Sequence, residues 1–218
     1  MVYENIETEI KDEILIASMK RSEKLNAISH QMRVDLLDCV RGAASDDKLR
    51  AIVITGNGQK AFSAGADLQR FHHQDMDLAR DFSSAFGQAF ETLTAYRGVS
   101  FAAINGYAMG GGLEVALACD VRIAEQHAQM ALPECAVGLL PCGLGTQQLA
   151  WLVGEQWAKR MILLGERLNA QQALRIGLVS EVVESGGALS ECLQLAQLTQ
   201  KQSPTAVGYC KELIMAAR

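Results

Sequence analysis

The chain has 218 residues, of which 49% are hydrophobic and 3 are proline, and its formal net charge is −5 at pH 7. This length supports a sizeable core, and the acidic balance argues against a dedicated binder of nucleic acids or anionic membranes. There is no run of about 18 apolar residues and the amino terminus is too charged to be a signal peptide, so we expect a cytoplasmic protein.

Strands and helices alternate through the first two-thirds of the chain. Polar–apolar alternation predicts an antiparallel pair of strands at 2–9 and 13–20. Ser29 is placed to cap a helix that runs to about residue 44. The later predicted elements are a strand at 51–55, a helix at 74–95, a strand at 101–105, a short helix ending at 118 and a strand at 121–124. This order predicts a mixed α/β core.

The last third of the chain is predicted to be mostly helical. Asn169 with Gln172 has the pattern of a capping box, and Ser203-Pro204 is typical of a cap followed by a proline in the first helical position. The predicted elements are helices near 145–153, 155–164 and 170–176, a strand at 178–183, and helices at 188–201 and from 204 to the end. We therefore expect a helical extension after the α/β core.

The segment NGYAMGGGLEVALACD, residues 105–120, combines three glycines with a carboxylate in an apolar helix. It does not fit G-x-G-x-x-G, because Val115 stands at the last glycine position, or the P-loop, because Gly112-Leu113 replaces Lys-Ser/Thr. Glycines at a helix start either expose backbone N–H groups or form a tight turn. A buried Glu114 needs a specific partner or role, because burying a lone carboxylate costs several kcal/mol. The interaction of the carboxylate with the helix dipole stabilises it by about 1 kcal/mol at most.

Two further segments are candidates for chemistry. Glu134, in ALPECAVGLLP, is a first-turn acid when considered alone, but with Glu114 it makes a pair of isolated carboxylates suited to acid/base work. Glu114 also follows Gly111 by three residues, so one helical turn aligns its side chain with that amide. The segment KAFSAGADL, 60–68, comes close to the G-x-S-x-G elbow of serine hydrolases, but the preceding strand ends near Thr55, too early for that turn. We interpret it as a small-residue loop that exposes backbone amides.

Cysteine and histidine spacing gives no metal signature. Six cysteines occur without a C-x-x-C pair, and four histidines show no H-E-x-x-H spacing. We expect reduced thiols, buried as small hydrophobes, and no metal site.

Three ordered segments, AFSAGADL, INGYAMGGGLEVALACDVRIA and ALPECAVGLLP with GTQQL, resemble the crotonase superfamily, the enoyl-CoA hydratase/isomerase family. SEKLNAIS, 22–29, is similar to its coenzyme A-proximal loop, and the resemblance runs from about Ile6 to the end. It implies an α/β fold of the ClpP/crotonase type, a spiral of ββα units over 1–185 with a helical region at 186–218. It also implies a homotrimer or a hexamer built as a dimer of trimers, and no cofactor, because coenzyme A is part of the substrate.

The resemblance assigns roles to individual residues. Ala64 and Gly111 match the two positions whose backbone N–H groups form the oxyanion hole for the thioester carbonyl. Glu114 matches the glutamate that activates water for attack at Cβ, and Glu134 the one that supplies the proton to Cα. The residues that match substrate- and coenzyme A-binding positions are Lys24, Leu25, Ser63, Ala64, Gly65, Ala66, Asp67, Leu68, Gly110, Pro141 and Cys142.

Because both glutamates are present, the resemblance implies a lyase of fatty acid β-oxidation: reversible syn hydration of a trans-2-enoyl-CoA to a 3-hydroxyacyl-CoA. The alternatives are an enoyl-CoA isomerase, another acyl-CoA enzyme of the superfamily, or a non-catalytic scaffold. Beside the acyl pocket, Leu144 replaces a usual glycine and Cys142 a usual glycine or aspartate. The chain ends at Arg218, whereas relatives continue through helices that cover the acyl chain, so we expect a shortened chain or an unusually open pocket.

Overall fold

The computed structural model describes residues 3–67 and 87–217. The strands within these residues are β1 (Ile6–Lys11), β2 (Ile14–Met19), β3 (Ala51–Gly56), β4 (Ala61–Ser63), β5 (Val99–Ile104), β6 (Tyr107–Met109), β7 (Val121–Glu125), β8 (Gln129–Ala131), β9 (Leu168–Asn169) and β10 (Glu181–Val183). The helices are α1 (His30–Ser45), α2 (87–94), α3 (Gly111–Ala118), α4 (Gly145–Leu163), α5 (Ala170–Arg175), α6 (Ala188–Gln197) and α7 (Pro204–Ala216).

The strands form two sheets, and the chain passes repeatedly from one to the other. The larger sheet has the order β1-β2-β3-β5-β7-β10 and the smaller one β4-β6-β8-β9. Only β1–β2 and β8–β9 are antiparallel among the described pairs. Each of β3, β5 and β7 lies in the larger sheet and is followed by a short strand in the smaller one. This is the two-strand spiral that the sequence resemblance implies, and the predicted α/β class is confirmed.

Both faces of the larger sheet are buried along its central strands. Within β3, Ile52 and Ile54 point into the main core with α1, whereas Ala51 and Val53 belong to a second apolar cluster. Helix α6 covers that second face with Ala188, Cys192 and Ala196, all of them inaccessible to solvent. Strands buried on two sides read as continuous apolar runs, which is why AIVIT was recognisable as a strand from sequence.

Most predicted elements are confirmed, with shifts of a few residues at their ends. The predicted helices at 145–153 and 155–164 together form α4, which is interrupted at Gly154, where φ is 80°. The part of the predicted helix 74–95 before residue 87 lies outside the described residues. Strand β1 begins at Ile6 rather than at residue 2, and the helix predicted at 188–201 ends at Gln197 and continues as a 3₁₀ turn.

The predicted helix caps are all present. The Ser29 Oγ accepts a hydrogen bond from the Met32 N–H at 3.1 Å. Asn169 and Gln172 form the reciprocal capping box at the start of α5. The Ser203 Oγ accepts from the Ala206 N–H, and Pro204 occupies the first turn of α7. Among the described residues, no helix is long and apolar enough to cross a membrane. The six cysteines are free thiols; the prediction that they are buried holds for Cys39, Cys119 and Cys192 and is wrong for Cys135 and Cys210, which are exposed.

Candidate active site

Three strands of the smaller sheet end at one edge and carry the candidate segments there. Strand β6 pairs in parallel with β4 on one side and with β8 on the other. The carboxyl ends of parallel strands meet at the same edge, so the loops that follow them become neighbours. The Gly110 N–H, after β6, donates to the Ala131 carbonyl of β8 at 2.9 Å. The sheet thus brings together the segments 64–67, 110–114 and 132–134.

Gly65 brings the first of these loops against the second. Its φ is +92°, and a Cβ at this position would lie 2.6 Å from the Met109 carbonyl oxygen and 3.4 Å from the Gly111 nitrogen. A side chain is therefore excluded by both the backbone conformation and the contact. Gly111 is the first residue of α3, where a backbone N–H has no acceptor within the helix. This free amide, with the helix dipole behind it, is suited to bind developing negative charge.

The prediction of Ala64 as the second oxyanion donor is wrong, because its amide is already in use. The Ala64 N–H donates to the Leu25 carbonyl at 2.9 Å. The Gly65 N–H donates to the Ser63 Oγ at 3.2 Å and the Asp67 N–H to the Ile28 carbonyl at 3.1 Å.

Within the described residues, the amide of Ala66 is the member of this loop that has no hydrogen-bond acceptor. Ala66 pairs with Ile28 in an isolated parallel bridge, in which the flanking Gly65 carbonyl and Asp67 N–H face Ile28. Peptide groups alternate in direction along an extended chain, so the Ala66 N–H faces away from Ile28. Among the described residues, the two free donors of the site are therefore on Gly111 and Ala66.

The Glu114 side chain is held in place by the turn at residues 143–145. Its residue exposure is 1%, and its Oε1 accepts from the Gly143 N–H at 2.7 Å and the Gly145 N–H at 2.8 Å. The alignment of the Glu114 side chain with the Gly111 amide stays a prediction. Burial raises the Glu114 pKa to about 7; the Gly145 amide opposes this, the charge of Glu134 adds to it, and the Gly143 amide opposes it. Because both hydrogen bonds go to Oε1, Oε2 is left for chemistry.

Glu134 approaches the glycine corner from the third loop. It opens a 3₁₀ turn after Pro133, and a Cβ built on Gly110 would lie 3.1 Å from its Oε1. Its Oε2 is buried and has no hydrogen-bond partner among the described residues. Burial raises its pKa as well. An unpartnered buried carboxylate oxygen is costly in a structural role, which indicates a functional one.

Some of the residues predicted to bind coenzyme A are exposed, and others form contacts within the protein. Lys24 and Leu25 lie exposed on a 3₁₀ turn, and Leu25 has a φ of +51°. The Asp67 carboxylate forms an ion pair with Arg21 at 3.2 Å, so this side chain ties the loop to the preceding segment. Leu68 lies outside the described residues.

The sequence predicts only some features of the turn at residues 141–145, which holds Glu114. Pro141 is buried and Cys142 is half-buried, and both lie in this turn; that they bind substrate stays a prediction. The sequence did not indicate that the Gly143 and Gly145 amides would clamp Glu114, or that the Phe90 ring would pack over Gly143. The sequence signal for this close approach of the backbone is the pair of glycines, Gly143 and Gly145, that flank Leu144.

The assembled groups are two backbone donors and two carboxylates with raised pKa values. Among the described residues, no group of three or more His, Cys, Asp or Glu side chains could hold a metal ion. Backbone N–H donors can stabilise an oxyanion, and paired carboxylates can deliver and remove a proton. The arrangement is suited to chemistry through an enolate.

Comparisons with known proteins identify the family to which the chain is similar. The profile of the enoyl-CoA hydratase/isomerase family matches residues 9–218. The 2,3-dehydroadipyl-CoA hydratase of Escherichia coli is 38% identical over 92% of this chain and 78% of its own length. The structure of Pseudomonas aeruginosa DspI is 52% identical with a TM-score of 0.95, over 98% of this chain and 87% of that one. An enoyl-CoA hydratase structure from Bacillus anthracis is 32% identical with a TM-score of 0.93, over 97% and 83%.

Proposed function

The chain belongs to the enoyl-CoA hydratase/isomerase family, and from this premise we propose that it adds water reversibly to trans-2-enoyl-CoA thioesters, giving 3-hydroxyacyl-CoA. The observation that carries the proposal is the convergence of two carboxylates, Glu114 and Glu134, on one backbone corner. Each carboxylate presents an oxygen free of a described hydrogen bond. A double-bond shift needs one group to move one proton, whereas adding water needs groups at both carbons.

The first part of the reaction is stabilisation of the enolate. The thioester oxygen would accept hydrogen bonds from the Gly111 and Ala66 amides, both free in the described structure. As water attacks Cβ, the electron pair of the double bond moves to the carbonyl oxygen, and these donors meet the charge without rearranging. Losing one such donor typically costs about 2.7–4 kcal/mol of barrier.

The second part is proton transfer. Glu114 Oε2 would remove a proton from the water that attacks Cβ, and Glu134 would donate a proton to Cα. Burial and mutual repulsion keep the pair from ionising together, so one carboxyl stays protonated as the acid. After the addition the proton returns from Glu114 to Glu134, which regenerates the starting state. No cofactor enters this sequence of steps.

The proposal is tested with crotonyl-CoA, whose conjugated thioester absorbance disappears on hydration. We expect wild type to remove this absorbance and Glu114→Gln and Glu134→Gln to lose nearly all activity. Glu155→Gln, at an exposed carboxylate on α4, is the matched control and should behave as wild type. A wild type that leaves several enoyl-CoA substrates unhydrated would exclude the hydratase. Conversion of a 3-enoyl-CoA without water addition, retained in Glu114→Gln, would identify an isomerase.

We also propose that the chain forms homotrimers, or hexamers made of two trimers, in the cytoplasm. Large apolar side chains are exposed along α4 and just after it, among them Trp151, Leu163 and Leu164. Apolar surface of this kind typically marks a protein–protein contact. Reduced cysteines fit a reducing compartment. Light scattering on the eluted protein should give three or six chain masses; a single chain mass would contradict the assembly.

A further inference from the structure

Among the described residues the Ala66 amide has no acceptor, whereas the polar groups beside it are engaged, and a buried side chain, that of Asn26, lies next to the segment that engages them. Asn26 has no solvent exposure and a φ of +54°. Asparagine tolerates this left-handed conformation better than most residues. Its position, just before the segment that runs beside Ala66, makes it the starting point of the support for the oxyanion loop.

The Asn26 amide makes hydrogen bonds to three different parts of the chain. Its Nδ2 donates to the Ala61 carbonyl at 2.8 Å, at the start of β4, and to the Asn57 carbonyl at 3.0 Å. Its Oδ1 accepts from the Arg21 N–H at 3.0 Å. A buried amide with this many bonds fixes three segments relative to one another, and losing it leaves their polar groups unpaired.

The backbone of Asn26 continues the connection to the loop through Ser63. The Ser63 Oγ donates to the Asn26 carbonyl at 2.8 Å and accepts from the Gly65 N–H at 3.2 Å. Ser63 has no solvent exposure. Its hydroxyl therefore links the buried asparagine to the residue that precedes Ala66.

The remaining bonds align the two segments in register. The Ala64 N–H donates to Leu25, the Ile28 N–H donates to the Gly65 carbonyl at 2.8 Å, and the Asp67 N–H donates to Ile28. This ladder engages the Gly65 carbonyl and the Asp67 N–H on either side of Ala66, and the Ala66 N–H therefore points away from the 25–28 segment. A shift of the ladder would redirect that amide.

We propose that Asn26 and Ser63 are positioning residues for the oxyanion hole: they hold the 63–67 loop so that the Ala66 amide stays unpaired and aimed at the thioester oxygen. The proposal rests on the proposed function, because the Ala66 amide is assigned as a donor to the thioester oxygen of that reaction. Neither residue is required to touch the reacting atoms. Their effect should appear in the turnover number more than in substrate binding, since the enolate needs the donor more than the ground state does.

The test uses Ser63→Ala, which deletes the linking hydroxyl, and Asn26→Gly, which removes the side-chain amide and keeps the left-handed backbone free of strain. Two buried polar groups elsewhere serve as controls for stability: Thr55→Val, which loses one bond to Ala103, and Asn5→Ala, which loses a bond to Asp35. Thermal unfolding establishes that each variant is folded at the assay temperature.

Two readouts separate positioning from general destabilisation. With crotonyl-CoA, we expect kcat to fall by about tenfold to a hundredfold in both test variants, with KM changed by less than about threefold. With saturating acetoacetyl-CoA, which the donors should hold as its enolate, we expect the near-ultraviolet enolate absorbance to fall in the same variants. Both controls should keep kcat and the enolate absorbance within about twofold of wild type.

The outcomes are distinct. Folded Ser63→Ala and Asn26→Gly proteins with wild-type kcat and enolate absorbance would overturn the positioning role, as would equal losses in Thr55→Val and Asn5→Ala. A wild type that hydrates no enoyl-CoA, yet forms the acetoacetyl-CoA enolate and loses it in Ser63→Ala, would exclude the hydratase and support the positioning role.

Discussion

Phe90 packs over Gly143 so closely that a Cβ on Gly143 would overlap its ring, and the Gly143 N–H donates to Glu114 Oε1 at 2.7 Å. The hydrogen bond that holds the Glu114 carboxylate thus depends on the packing of a residue of α2. Phe90 itself is 1% exposed and cannot move aside without opening the core.

Replacing Gly143 with alanine should displace the turn and weaken this clamp. Overpacking of a buried site typically costs about 1–3 kcal/mol, which urea unfolding will measure. Because the displaced amide no longer fixes Glu114, we expect kcat on crotonyl-CoA to fall by about tenfold or more. The second substitution Phe90→Leu makes room for the new methyl group, so the double variant should recover part of the lost kcat.

The control for this prediction is Gly87→Ala, on the same helix as Phe90. A Cβ there would lie 3.9 Å from the Cys142 carbonyl oxygen, an ordinary contact. We expect unchanged kcat and equal or slightly higher stability. If Gly143→Ala had wild-type kcat, or if Phe90→Leu lowered the double variant further, the proposed dependence on packing would be wrong.

Leu144, between the two clamping amides, has a φ of +73°. This left-handed conformation costs an L-residue about 1–2 kcal/mol, and glycine adopts it without that cost. We therefore expect Leu144→Gly to be more stable than Leu144→Ala by about 1 kcal/mol in urea unfolding, since both variants lose the leucine side chain. At exposed Ser190 in α6, the order of the same two substitutions should reverse. The same order at both positions would contradict the strain at Leu144.

The larger sheet and the helix ends could be predicted from sequence because their signals are local. Strands such as β3 have six buried residues, and Ser29, Asn169 and Ser203 each cap through a residue three positions away. The smaller sheet could not be predicted, because β4, β6 and β8 have three residues each, too few to show a period. These short strands nevertheless bring the functional loops together.

The candidate site shows the same division between local and distant information. The anomaly of Glu114 in an apolar helix predicted a buried carboxylate, and its 1% exposure agrees. Whether Ala64 or Ala66 has the free amide depends on pairing with Leu25 and Ile28, which no local pattern encodes. The Gly143 clamp is also distant in sequence from Glu114. Sequence therefore identified the buried carboxylate, and the structure identified the backbone groups around it.

The raised pKa of Glu114 predicts a pH-dependent stability. In the unfolded chain this carboxyl titrates near its ordinary 4.5, and in the folded protein near 7, chiefly because of burial. The folded state therefore favours the protonated form, so this contribution to stability is fully present below about pH 4.5 and is lost as the pH rises through about 7. A shift of this size corresponds to about 3 kcal/mol.

Glu114→Gln removes this titration, so the variant should gain stability relative to wild type between pH 5 and pH 8, by up to about 3 kcal/mol in urea unfolding. Glu155→Gln, at an exposed side chain, should leave the pH profile of wild type unchanged. Equal wild-type and Glu114→Gln profiles across this range would show that Glu114 is not buried as a charge in the folded protein.

The same titration predicts how turnover depends on pH. If Glu114 removes the proton from water, it must be ionised, so kcat/KM should rise with pH through about 7. The Gly143 amide lowers this pKa, so Gly143→Ala should move the rising limb to higher pH, and adding Phe90→Leu should move it back. Initial rates with crotonyl-CoA at low substrate concentration, in buffers of constant ionic strength, give the profile. A limb that keeps its position in Gly143→Ala would mean that a group other than Glu114 controls it.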